Sequence, residues 1–234
     1  MSYTTDLIKN LSLAGHGGTG KTTLFERLLF AGGVIPKPET VESGKTVSDS
    51  TPEEIERKIS IYAALAHIDW KGKKINMFDT PGSSDFIADV ILAIRASEFT
   101  LVTVDARSGV QIETLKIWRF LNTRGKPRGI YITKLDDDRA NFESTLQDIK
   151  EKLKIDPVPF FLPMGSNGNY KGIIDVLNEK AYFVQNDGLE KEGPIPAEYK
   201  EAVNDARQRL IEAAAEGDDT LMEHYIDKGS LDAE

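Results

Sequence analysis

Short apolar runs along this chain alternate with stretches whose apolar residues recur every three or four positions. Ile8 to Ala14 has the length and character of a buried strand and leads straight into the turn GHGGTGKTT. Beyond that turn Leu24, Leu28 and Ala31 return at helical spacing. Residues 33–57 are polar, contain Pro36, Pro38, Gly44 and Pro52, and carry no clean period, so a long loop is expected there. Ile59 to Trp70 and Lys73 to Phe78 predict two strands joined by a tight turn at Lys71-Gly72. A helix is expected next, with Phe86, Val90 and Ile94 on one face. It is followed by a strand over Phe99 to Asp105, a helix about Ile117 and Leu121, and a strand over Arg128 to Thr133. Phe142, Leu146, Ile149 and Leu153 then form a single helical stripe. This alternation predicts a three-layer α/β fold, a mostly parallel sheet flanked by helices.

After about residue 155 the rhythm changes. PVPFFLP, GIIDVL and AYFVQ predict short strands, and GSNGNYKG a loop between them. The polar stretch NDGLEKEGPIPAEY leads into a helix expected from Ala197 to Glu216. We therefore expect residues 1–155 to form the main domain and residues 156–234 a small α+β subdomain.

Composition narrows the function classes. The 234 residues suffice for a real core, and 40% hydrophobic and 29% charged residues are ordinary for a globular protein. No run reaches the roughly 20 apolar residues of a membrane-spanning helix, and MSYTTDLIKN lacks the layout of a secretion signal. With no cysteine, disulfides and thiolate metal sites are excluded, which suits a reducing cytoplasm. A net charge of −9 argues against broad binding to a nucleic-acid backbone, DNA included, though not against a local RNA contact.

The chemistry starts at Gly15. Residues Gly15 to Thr22 fit G-x-x-x-x-G-K-[ST] between a strand and a helix, as a phosphate-binding loop requires. The stretch Gly15, His16, Gly17, Gly18, Thr19, Gly20, Lys21, Thr22 and Thr23 would wrap phosphates with backbone amides. Lys21 adds a point charge and Thr22 a hydroxyl for Mg²⁺. In INMFDTPGS, Asp79 would hold the metal through water and Gly82 would offer its N–H to a γ-phosphate. In TKLD, Asp136 can accept hydrogen bonds from guanine N1 and its exocyclic amine, while the stem of Lys134 lies along the purine face. Three motifs in this order favour guanine over adenine.

The segments GHGGTGKTTLFERLLF, ERKISI, INMFDTPG, ITKLDDDRANF and IPAEYKEAV…LIEAAAEGDDTLMEHYI resemble the nucleotide-binding domain and inserted subdomain of elongation factor G. GHGGTGKTT with SDSTPEE and TKLD is similar to the elongation factor G-like branch. The resemblance spans nearly the whole chain. It implies a P-loop GTPase fold, GTP/GDP and Mg²⁺ as ligands, and a cytoplasmic, monomeric protein that partners the ribosome and its RNA.

Departures from the family pattern bear on catalysis. Where that pattern reads D-T-P-G-H, with a histidine that orients the attacking water, this chain has Ser83. Its hydroxyl is a poor general base, and losing such a group typically costs about 10²–10⁴-fold in rate. Gly17 and Gly18 stand where the family commonly has an apolar residue and an aspartate. Ser60 in RKISI replaces the switch threonine but keeps a hydroxyl for Mg²⁺, and Thr133 replaces an asparagine of the base motif. The expected catalytic set is thus Lys21, Gly82 and Ser83, the expected metal set Thr22, Ser60 and Asp79, and hydrolysis is expected to be slow. If Ser83 is no defect, Arg57 in the first switch is the alternative supplier of the histidine's function. Two other readings remain open: a nucleotide-dependent ribosome-binding module with little hydrolysis, and a phosphotransferase acting on a small molecule. The second leaves TKLD unexplained.

Gly165-Ser166-Asn167 lies about thirty residues after the base motif, where small GTPases place the loop that closes the base pocket. LPMGSNGNYKG instead resembles the start of the insertion, so the closing loop and last helix are expected beyond Glu234. His67 and His224 read as packing and surface residues, Asp137 and Asp138 as helix starters, and Glu216, Asp218 and Asp219 as a solvated face.

Overall fold

The computed structural model describes residues 3–166, 168–185 and 190–228. Asn167 and the terminal GSLDAE lie outside the described residues, and so does the side chain of His224. The chain divides into two compact units, residues 1–134 and 135–234.

The first unit is built on a five-stranded sheet of order β2-β3-β1-β4-β5. Its strands are β1 (Ile8–Gly15), β2 (Ala64–Trp70), β3 (Lys73–Asp79), β4 (Phe99–Asp105) and β5 (Arg128–Thr133). β1 runs parallel to β3 and β4, β4 parallel to β5, and only edge strand β2 is antiparallel. The β2–β3 hairpin turns through Lys71 and Gly72, with φ of 48° and 77°. Two positive φ values in a two-residue turn match the twist of the flanking strands.

Helices α1 (Lys21–Ala31), α3 (Ile87–Ala96) and α4 (Ile112–Thr123) cover this sheet. Phe25 and Leu29 of α1 bury fully against Leu13, Ile68 and Met77. Each such side chain stabilises the fold by roughly 1.5–3 kcal/mol. Val90, Ala93 and Ile94 of α3 and Ile117, Trp118 and Leu121 of α4 are also buried.

Two local expectations in this unit are corrected. Residues 33–57 are not all loop, because α2 spans Pro52–Arg57. Thr51 caps it, accepting from Glu54 N while the Glu54 carboxylate accepts from Thr51 N, and Pro52 takes the first helical position. Thr-Pro-Glu-Glu is thus a capping box with its proline in the tolerated place. The strand expected from Ile59 begins only at Ala64. The N–H groups of Ile61 and Tyr62 go to Glu54 Oε1 and that of Ala63 to Asp89 Oδ2, so carboxylates take the donors a strand ladder would use.

The second unit contains α5 (Phe142–Leu153) and an antiparallel sheet of order β6-β7-β8-β9. Its strands are β6 (Phe161–Met164), β7 (Gly172–Asp175), β8 (Lys180–Val184) and β9 (Glu190–Gly193). β9 lies in the polar stretch read as a connection. Helix α6 (Lys200–Ala215) follows a short 3-10 turn at Ala197–Tyr199, and α7 (Asp219–Lys228) ends the described chain. Met164, Ile174, Ala181 and Val203 form the core of this unit. The start of α5 is capped by Asn141, which accepts from Ser144 N at 2.8 Å; Asp137 instead pairs with Arg139, which corrects its reading as a helix starter.

Candidate functional site

The turn from β1 to α1 has the backbone its glycines allow. Gly18 and Gly20 have φ of 75° and 84°, in the left-handed region. A Cβ on Gly15 would lie 2.5 Å from Thr103 Oγ1, so the loop leaves the sheet where only glycine fits. Gly20 caps α1 without a side-chain acceptor, which leaves the first-turn N–H groups free for an anionic ligand. Thr19 ties the loop down, donating to His16 O at 2.8 Å and sharing a 2.7 Å hydrogen bond with Thr103. His16 contributes its carbonyl, while its Nδ1 is buried without a partner. Gly17, Gly18 and Thr23 are exposed.

Lys21 is 6% exposed, and its ammonium donates to Gly15 O at 3.1 Å and His16 O at 2.9 Å. Burial pulls its pKa down to about 8, with Asp79 and Asp49 opposing the shift. Thr22 donates to Asp79 Oδ2 at 2.7 Å, and its hydroxyl lies 3.3 Å from that of Ser60. All three residues expected to hold a metal therefore meet. Burial raises the Asp79 pKa to about 6, against the hydrogen bond from Thr22 and the charge of Lys21. Its other oxygen, Oδ1, is buried with no hydrogen-bond partner of normal geometry, although the nearby Ser48 hydroxyl also opposes the rise in pKa.

That orphaned oxygen, with the Thr22 and Ser60 hydroxyls, fits Mg²⁺, which takes hard oxygen ligands and one or two carboxylates beside substrate phosphates. Among the described residues no group of three or more His, Cys, Asp or Glu side chains could hold a metal alone.

Gly82 packs on the loop: a Cβ there would lie 2.5 Å from Gly17 Cα and 2.7 Å from Lys21 Nζ. Ser83 caps the short 3-10 turn Ser84–Phe86, and its hydroxyl lies 3.4 Å from both Asp85 N and Asp85 Oδ2.

The base motif begins where β5 ends. Thr133 donates to Thr19 O at 2.9 Å, which ties β5 to the phosphate loop. Lys134, with φ of 58°, donates to Gly18 O and pairs with Asp105 at 3.0 Å. Asp136 is exposed in the turn beyond. Ser166 follows β6, in the antiparallel sheet of the second unit. Arg57 is exposed at the last position of α2, and His67 is exposed on β2.

Three buried acids carry no clear signal in the sequence. Glu26 is 1% exposed and accepts from Glu39 N at 3.0 Å and Val47 N at 2.6 Å. Asp49 is 4% exposed, and neither oxygen has a partner of normal geometry. Burial pushes its pKa up, although the nearby Ser60 hydroxyl opposes this. Asp105, at the end of β4, is the third. Its place as the strand-end acid in FTLVTVD is the one visible hint.

Residues 6–227 match the family described as Elongation factor Tu GTP binding domain. The chain belongs to that family. This translation-factor GTP-binding domain is 38% identical over 231 residues to Elongation factor G of Mycoplasma pneumoniae, covering 97% of the chain and 34% of that protein. It is 36% identical over 220 residues to the Elongation factor G-like protein of Thermotoga maritima, covering 94% of the chain and 31% of that protein. A crystal structure of a Thermus thermophilus protein aligns with a TM-score of 0.88 at 35% identity, over 96% of this chain and 34% of that one. The chain thus spans about a third of the length of the relatives it matches. The P-loop GTPase fold follows from the family, the aligned structure and the sheet order. Among the described residues no helix is long and apolar enough to cross a membrane.

Proposed function

We propose that this GTP-binding domain takes GTP with Mg²⁺ and hydrolyses it slowly, within a cytoplasmic, monomeric translation factor that couples the reaction to ribosome and ribosomal RNA binding. The meeting of the Thr22 hydroxyl with Ser60 and with Asp79, a buried carboxylate whose other oxygen has no partner of normal geometry, supports this reading most strongly. In it, residues 1–155 bind the nucleotide and residues 156–234 belong to the inserted subdomain.

The loop amides and Lys21 receive the β- and γ-phosphates. Lys21 must exchange the carbonyls of Gly15 and His16 for phosphate oxygens, and one buried ammonium is well suited to that exchange. Thr22, Ser60 and Asp79 would hold Mg²⁺, and the bound ion would neutralise charge on the phosphates. Water attacks the γ-phosphorus, the bond to the β–γ bridging oxygen breaks, and GDP and phosphate leave. Gly82 offers its N–H to the γ-phosphate. Catalysis of this step depends on positioning. Ser83 has only a short hydroxyl, lying 3.4 Å from Asp85 Oδ2, and Gly17 and Gly18 supply neither an apolar wall nor a carboxylate. The same three residues, Ser83, Gly17 and Gly18, also favour a second reading, a nucleotide-dependent ribosome-binding module with little turnover.

The base motif gives the test of substrate class. Asp136→Asn should weaken GTP binding and favour xanthosine triphosphate, because the amide donates to the xanthine 2-oxo group. Unchanged GTP affinity would remove Asp136 from the base site, and equal binding of ATP and GTP by the unaltered protein would remove guanine as the ligand.

A further inference from the structure

Lys134 holds a backbone conformation that a lysine seldom adopts. Its φ of 58° lies in the left-handed region, which is strained for a residue with a side chain. Such a conformation persists where surrounding contacts over-determine it. Here those contacts come from both sides. Thr133 anchors the backbone through Thr19 O and Val104 O. The Lys134 ammonium then reaches Gly18 O in the phosphate loop and Asp105 Oδ2 at 3.0 Å.

Asp105 is not a casual surface partner. It is 3% exposed, and its orientation is fixed by its own strand end. Arg107 N and Nε donate to Oδ1 at 2.9 Å each, and Nη2 donates to Oδ2 at 2.6 Å. The turn carrying Arg107 closes on Asp105 O through Ser108 N and Gly109 N, at 3.1 and 2.9 Å. Burial alone would raise the Asp105 pKa, but Arg107 and Lys134 hold it well below the ordinary carboxylate range. A bidentate guanidinium thus locks the carboxylate, and the locked carboxylate presents one oxygen to Lys134.

We propose that Asp105, oriented by Arg107, is a positioning residue for nucleotide recognition: it fixes the Lys134 ammonium over Gly18 O, joining the base-reading loop to the phosphate loop. The inference rests on the reading of Lys134 as part of the guanine site. It adds that base binding depends on a carboxylate from β4 that touches no nucleotide. Without Asp105 the Lys134 stem has one tether instead of two, and the purine loses a fixed wall. Phosphate capture by Lys21 and the α1 amides keeps all of its own hydrogen bonds.

The test is a double-mutant cycle read by a fluorescent GDP analogue at fixed Mg²⁺, with pyrophosphate as competitor and melting temperature as control. Asp105→Asn and Lys134→Met should each weaken GDP about tenfold, the scale of coupling between residues in one network. The double variant should bind nearly as Lys134→Met does, and pyrophosphate should compete as it does in the unaltered protein. If Asp105→Asn weakens GDP and pyrophosphate equally, and adds in full to Lys134→Met, its role is only structural and the inference fails. Wild-type GDP binding by Asp105→Asn alone, with Lys134→Met impaired, also overturns it but leaves the base site standing. Wild-type binding by both variants overturns the reading of the base site itself. Should Asp105→Asn not fold, Arg107→Met loosens the same carboxylate from a more exposed position. It should show the same non-additivity with Lys134→Met, and a silent or additive result overturns the proposal.

Discussion

Thr22 Oγ1 lies 2.7 Å from Asp79 Oδ2, so the first turn of α1 and the last residue of β3 are joined by one buried hydrogen bond. The bond leaves Asp79 with a second buried oxygen that has no hydrogen-bond partner of normal geometry, although the Ser48 hydroxyl lies near the carboxylate. A buried carboxylate left half-unpaired costs about 1–3 kcal/mol, which a cation can recover. Thr22→Ala removes a hydroxyl of the metal set and should raise the Mg²⁺ concentration needed for tight GTP binding by at least about 10–100-fold, the effect of losing even a partner that only orients a metal ligand. Nucleotide titrations across a Mg²⁺ series check this. An unchanged Mg²⁺ dependence would detach Thr22 from the metal.

The segment between α1 and α2 is fastened by a different acid. Glu26 gives both carboxylate oxygens to backbone N–H groups, those of Glu39 and Val47. Glu26→Gln replaces one acceptor with an N–H donor and strands a buried amide, at a cost of about 1–3 kcal/mol. Amide exchange in residues 39–47 should accelerate while exchange in β1 and β4 holds steady. Unaltered exchange in that segment would show that Glu26 does not restrain it.

Asp105 carries the pH signature. Its folded pKa is depressed, so it contributes stability above the unfolded carboxylate value of 3.8 and loses that contribution as pH falls below it. Asp105→Asn should thus lower the melting temperature at pH 7, by the equivalent of about 1–3 kcal/mol for a broken buried pair. Toward pH 3 the gap between variant and unaltered protein should narrow. A gap of constant size from pH 7 to pH 3 would contradict the assigned ion pairs.

Much of this fold is legible in the sequence, and the exceptions have physical causes. Phe99–Asp105 and Arg128–Thr133 have the bounds their pattern predicts, because their apolar runs end at sharp polar turns. The loop Gly15 to Thr22 is legible because its glycines are demanded by backbone geometry that Gly18 and Gly20 display. Helix α2 escapes the pattern although Thr51-Pro52-Glu53-Glu54 announces it; a six-residue helix shows too little periodicity to outweigh its prolines. The strand expected from Ile59 is shorter in the structure because side-chain carboxylates take its backbone donors, and pattern alone cannot foresee that. Glu26, Asp49 and Asp105 are hidden for the same reason. An acid's burial and its partners are settled by tertiary packing, not by its neighbours in sequence.

The central proposal is that this domain keeps a phosphate clamp but lacks a group that places the attacking water. Single-turnover GTP hydrolysis by the intact protein, with saturating ribosomes, tests it most directly. We predict a rate well below that of an ordinary elongation factor G assayed beside it, since a missing acid–base group costs about 10²–10⁴-fold. Ser83→His should recover part of the difference. Adding Gly18→Asp should help further by supplying the carboxylate: a Cβ there meets nothing within 4 Å, and aspartate tolerates the strain of this left-handed backbone better than most residues. A rate for the unaltered protein equal to that of the ordinary factor would contradict the account and turn attention to Arg57 as the group that takes the histidine's place.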